Sequence, residues 1–439
     1  MSKRLVLLGL CAAFACCAVL LAACGSDKSS GGGGSSSSTS STGVTDGAKV
    51  IDPKTENGAK GNVTYCTGKD TSGDLIAGIK TFNKKNPGIT AKLLEFPEAA
   101  DQQRAQFIQR ERAKSADCDV FESDVIWTSE FASQKWLMDM TPYIEKRKAE
   151  FVPSTLESVH FENKYWGAPR STDAGFLYYR TDQVKTVPAT WQAVYDQASK
   201  ANGIVYQGAS NEGLTVDFLE LAFAAGGKVL SDDGKKSEIN SPQNLKALQF
   251  MVDGIKNGAA PKAVATYMEQ QANDTFQAGK ATFMRQWPYA YALDQAKGSK
   301  VKGKFKVVPQ PSFEGGGKAG ILGGHNMVVS AYSKNPGAAL KLIDYFTGPE
   351  VMKLAATKYS KAPTLKATYD DPAVKKALPF IDQLKVAVAQ AKSRPVSPVY
   401  TQISQAIYKN VNDALSGATD PKAALAKAQK DMDKALATF

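Results

Sequence analysis

The chain has 439 residues, 43% of them hydrophobic and 22% charged, with a formal net charge of +11. It is too long for one small domain and too apolar for a disordered chain, so a body of two lobes with proper cores is expected. A basic excess of this size can mark nucleic-acid binding, but the lysines are scattered and interleaved with Asp and Ala, as at 422–434, which reads as solvated helix faces and no nucleic-acid partner.

In chain order, Lys3 and Arg4 precede an apolar run over 5–23, which ends in Leu21-Ala22-Ala23-Cys24-Gly25-Ser26. That ending looks like a bacterial lipobox, with residues 1–23 as a cleaved signal and Cys24 as the lipidated first residue. An uncleaved membrane anchor is the alternative, and both readings put everything after Cys24 outside the cytoplasm. Loss of Lys3 and Arg4 with the signal brings +11 to +9. Residues 24–58 are expected to be a flexible tether, since 29–43 is almost pure Ser, Gly and Thr. Of the six cysteines, only Cys66 and Cys118 fall within the folded body. Outside the cytoplasm such a pair is expected to be oxidised, and two buried free thiols are the alternative.

The body begins near Asn62 with a strand at 63–66 and an amphipathic helix at 73–85, broken by Asn86-Pro87-Gly88. A strand at 89–95, a helix at 101–115 and a strand at 119–127 follow. This βαβαβ order argues for a right-handed, mostly parallel sheet. Further strands are expected at 203–206, 304–309 and 324–330. Helices are expected at 216–226, 242–257, 273–279, 336–346, 349–359, 403–416 and 422–438. In open α/β sheets ligands bind beyond the carboxyl ends of strands, so residues just after these strands carry the information.

Catalytic signatures are sparse. The two histidines, His160 and His325, have no ligand-type spacing around them, and no HExxH, G-x-S-x-G or Walker loop occurs. No metal and no cofactor is implied. Residues 315–320 match G-x-G-x-x-G, but a strand follows them where a dinucleotide site needs a helix. A pair of carboxylates suited to glycoside hydrolysis stays open on sequence alone.

Several stretches, in order across the body, resemble the solute-binding proteins of ABC importers, in the branch that binds trehalose, maltose and related α-glucosides. They are DVFESDVIWTSEFASQKWL from Asp119, YWGAPRSTDAGFLYYR from Tyr165, YQGASNEGLTVDFLE from Tyr206 and FQAGKATFMRQWPYAYA from Phe276. LGGHNMVVSAYSKNPGAA from Leu322 and SRPVSPVYTQIS from Ser393 complete the set. The resemblance implies an α/β, two-lobed periplasmic-binding-protein fold of the maltose-binding type, with a hinge and an interlobe ligand cleft. It places one lobe at 60–168 plus 295–345 and the other at 169–294 plus 346–439. The implied partners are a small sugar, the permease subunits of the importer and the membrane through Cys24, with the protein itself a monomer. A secreted carbohydrate-active enzyme and a surface sensor for another solute are the alternatives.

The resemblance also assigns roles. Asp124 and Asp173 match hydroxyl-binding carboxylates, with a turn or helix cap as the competing reading; Asp70 matches a third over an uncertain loop length. Trp287 and Tyr289 match stacking aromatics. Gly323 and Gly324 match a backbone that approaches the sugar, but the next residue is His325 where the family has Trp, which offers a smaller and more polar face. Arg394 and Tyr400 keep the family spacing, with Arg394 expected to clamp hydroxyls or, for an anionic sugar derivative, a carboxylate.

Overall fold

The computed structural model describes residues 47–313 and 315–438. The signal segment, Cys24 and the tether up to residue 46 lie outside the described residues. Among the described residues eleven strands occur in chain order: β1 (Gly61–Thr67), β2 (Ile89–Glu95), β3 (Val120–Asp124), β4 (His160–Phe161), β5 (Lys164–Tyr165), β6 (Ala168–Asp173), β7 (Phe176–Arg180), β8 (Ile204–Val205), β9 (Phe283–Gln286), β10 (Phe305–Pro309) and β11 (Gly323–Val329). They build a five-stranded sheet in the order β2-β1-β3-β11-β6, a four-stranded sheet β10-β7-β9-β8 and the hairpin β4-β5.

The first sheet grows from local sequence signals. Leu75, Ile79 and Phe82 recur at helical spacing and are buried on the helix Asp74–Lys85, which then stops at Asn86-Pro87-Gly88. These side chains share a core with Val63, Tyr65, Ala91 and Val120 from β1, β2 and β3. Each large apolar side chain buried there contributes about 1.5–3 kcal/mol. β1 runs parallel to both β2 and β3, as the βαβαβ order requires. β11 then enters antiparallel between β3 and β6, so the sheet is mixed instead of mostly parallel.

Three boundary expectations are corrected. The tether does not reach residue 58, because Ile51 is 2% exposed and its N–H donates to Asp139 O at 2.9 Å. Asp52 then caps a short 3-10 helix with Pro53 at its start, so the fixed body includes this segment. β6 belongs to the first sheet although 169 onward was assigned to the second lobe, and the chain leaves that sheet only between Asp173 and Phe176. β10 belongs to the second sheet although 295–345 was assigned to the first lobe, because it pairs antiparallel with β7 over Phe305–Pro309.

The second sheet is flanked by helices from distant parts of the chain. Phe218, Leu219 and Leu221 of Glu212–Ala224 pack with Leu248 and Met251 of Pro242–Lys256 and with Ile403 and Ile407 of Tyr400–Leu415. Cys66 and Cys118 form a disulfide with Cα atoms 5.8 Å apart, tying β1 to the segment that enters β3. Among the described residues no helix is long and apolar enough to cross a membrane.

Candidate functional site

Strand register gathers the candidate residues. In the first sheet His325 lies opposite both Asp124 of β3 and Ser171 of β6, and Gly323 lies opposite Asp173. The carboxyl end of β3, the end of β6 and the start of β11 therefore meet at one edge. Gly324 has φ +118°, and a Cβ there would sit 2.3 Å from Ser171 O, so only glycine fits. From the second sheet, β9 ends at Gln286 and delivers Trp287 to the same place. A Cβ on Gly323 would lie 2.9 Å from the Trp287 ring, which is why the backbone and the indole approach so closely.

These residues line a cleft of about 200 Å³ that also includes Asp70, Tyr289, Lys361 and Arg394. Its walls are mainly polar side chains around one aromatic corner, an arrangement suited to a small hydroxyl-rich solute. Trp287 is half-buried, with the Arg285 guanidinium 4.1 Å from its ring centroid. Lys361 Nζ lies 5.5 Å from the Tyr289 ring centroid.

The charged groups differ in how far they are already engaged. Arg394 Nη1 donates to Glu212 at 2.8 Å and Nη2 donates to Asp124 at 3.0 Å. Burial opposes the Arg394 charge, but Asp124, Tyr400 and Glu212 outweigh it and raise its pKa. Tyr400 Oη donates to Glu212 at 2.6 Å, so Tyr400 is tied to the same carboxylate and does not line the cleft. Arg170 pairs with Asp74 and, at 3.0 Å, with Glu122. Burial works against the Asp74 charge, yet Arg170 holds its carboxyl below the usual range. Asp173 stands apart: burial pushes it up to about 6, with Lys361 opposing.

Asp70 lines the cleft, but its carboxylate caps the helix Asp74–Lys85, accepting from the N–H groups of Gly73, Leu75 and Ile76 at 2.8–2.9 Å. Asp70 is thus held in place by the first turn of that helix. Both terminal nitrogens of Arg394 carry carboxylates, and the Lys361 ammonium is a second cation on the cleft wall. The sequence reading missed Glu122, Arg170, Glu212, Lys361 and Arg285. The only local signal for Arg285 was a charge directly after the apolar pair Phe283-Met284.

The family model for bacterial extracellular solute-binding proteins matches residues 68–353. The chain belongs to that family. This solute-binding protein is 37% identical over 362 residues to a probable ABC transporter-binding protein of Deinococcus radiodurans, covering 78% of this chain and 85% of the relative. Among solved structures, maltose-bound MalE3 of T. maritima superposes with a TM-score of 0.82 at 35% identity, over 85% of this chain and 99% of that one. A solute-binding protein of Thermotoga lettingae bound with α-D-tagatose gives a TM-score of 0.79 at 25% identity, over 86% and 100%. The fold is therefore the two-lobed, maltose-binding-like one.

Proposed function

We propose that this solute-binding protein captures a neutral saccharide of one or two sugar units and presents it to the permease of an ABC importer. The carrying observation is the meeting of Asp124, Asp173, Trp287 and the Gly323-Gly324 backbone in one cleft between the lobes. Carboxylates accept hydrogen bonds from sugar hydroxyls, while an indole face covers the apolar C–H patch of the ring. The maltose and tagatose seen in the two similar structures support the class of ligand. Lobe closure follows from the same geometry, because only a closed form lets one ligand touch both sheets. Cys24 anchors the protein to the outer membrane face as a monomer, and no covalent chemistry takes place.

Trp287→Ala weakens saccharide binding by about 2 kcal/mol, or roughly thirtyfold, because a buried aromatic anchor is lost. Calorimetry on the variant tests this; unchanged affinity removes Trp287 from the site. Binding also depends on pH through Asp173. Its ionised form accepts the hydroxyl bonds, so affinity is full above the Asp173 pKa of about 6 and falls as pH drops through it. Asp173→Asn flattens that profile, and an equally steep fall in the variant assigns the pH dependence to another group.

A further inference from the structure

Behind Arg394 lies a second cavity of about 140 Å³, lined among others by Val125, Ile126, Ser158, Leu322 and Pro395. Arg394 is the one residue common to the lining of this cavity and of the ligand cleft. We infer that Arg394 is the wall that ends the cleft and so limits the length of the saccharide bound. The inference rests on the saccharide reading above and adds which residue sets ligand size.

The side chain is built as a fixed partition. It is 3% exposed and spans from Asp124, at the end of β3 in one lobe, to Glu212, at the start of the helix Glu212–Ala224 in the other. Its Nη2 also donates to Leu322 O at 3.4 Å. Glu212 is itself held by Tyr400 and Ser404, and Ser404 Oγ lies 2.8 Å from Thr215 Oγ1. A guanidinium whose terminal nitrogens are taken from both lobes has little freedom to follow a ligand. Its Nε is buried and has no acceptor among the described residues.

Arg170 stands in a comparable position beside a third cavity of about 140 Å³. Asp74 and Lys361 share that boundary, so no single side chain closes it. At Arg394 one side chain does, and removing it adds the second cavity to the cleft.

The test is calorimetry with maltose, maltotriose and maltotetraose on the wild type and on the double variant Arg394→Ala/Glu212→Gln. The Glu212→Gln change removes the buried carboxylate charge that would lose its Arg394 partner and keeps one oxygen to accept from Tyr400 or Ser404. The wild type binds maltotetraose at least about tenfold more weakly than maltose, and the variant shifts that ratio toward the longer sugar by about tenfold or more. Equal wild-type affinity for maltose and maltotetraose overturns the inference whether or not the variant folds. So does an unchanged ratio in a variant that circular dichroism shows to be folded. A wild type that binds maltose but fails either comparison leaves the saccharide reading standing. One that binds none of the three sugars overturns this inference, and binding of another neutral sugar then decides whether the saccharide reading stands.

Discussion

Arg285→Met is expected to lower the stability of this solute-binding protein by about 3–5 kcal/mol, the cost of breaking a buried ion pair from one side. Arg285 is 3% exposed and sits under the aromatic corner of the cleft. Its Nε and Nη2 donate to the two oxygens of Glu220 at 2.7 and 2.6 Å, and Asp217 lies 3.0 Å from the same Nε. Gln310 also donates to Glu220. Burial pushes the Asp217 carboxyl well up, and Arg285 is what opposes it. Met fills much of the same volume but leaves both carboxylates in a dry interior without a cation. Urea unfolding measures the loss. Pairing the change with Glu220→Gln restores part of it, since one buried charge goes too. A loss under about 1 kcal/mol would mean that the cluster is better hydrated than its burial indicates. The same substitution removes the cation beneath Trp287, so sugar affinity falls along with stability.

Replacing Cys66 and Cys118 together by Ala costs about 4 kcal/mol in the chain-entropy account, because the bridge closes a loop with a sequence separation of 52 residues. Both cysteines are buried beside Phe96, Phe107 and Phe121, so the bridge also fixes the layer under β3 that ends in Asp124. The expected result is a lower urea midpoint with a somewhat steeper slope, because the unfolded chain without the bridge exposes more surface. A loss below about 1 kcal/mol contradicts the entropy account.

The first half of the fold was legible because its signals are local. The apolar spacing of Leu75, Ile79 and Phe82 and the breaker at Asn86-Pro87-Gly88 need no distant partner to be read. The helices at 336–346 and 349–359 were likewise placed at the bounds the structure has. No strand was read from 168–180 or 283–286, although β6, β7 and β9 are there. Arg170, Asp173, Arg180 and Arg285 interrupt the apolar pattern, and the partners that let Arg170 and Arg285 be buried are 96 and 65 residues away. Periodicity carries no information across such distances. Which sheet β6 and β10 join was out of reach for the same reason: pairing of β10 with β7 and of β6 with β11 is a tertiary choice.

Within the cleft, resemblance supplied Asp124, Asp173, Trp287, Tyr289 and Gly324; the register of β11 between β3 and β6 brings the two aspartates and Gly324 to one edge, and β9 of the other sheet leads into Trp287 and Tyr289. His325 takes its place there opposite Asp124. Neither the capping by Asp70 nor the attachment of Tyr400 to Glu212 could be read from spacing, since both depend on where a side chain turns. The ion pairs that neutralise Arg394 and Arg170 were equally out of reach.

The central claim, capture of a neutral saccharide between two lobes, is tested most directly by calorimetry of the wild-type protein against maltose, trehalose, glucose and gluconate. A neutral sugar is expected to bind one to one, and at a hundred times its Kd to stabilise the protein by about 2.7 kcal/mol in a parallel melt. Gluconate is expected to give no heat of binding. Silence from every neutral sugar together with saturable binding of gluconate would contradict the account.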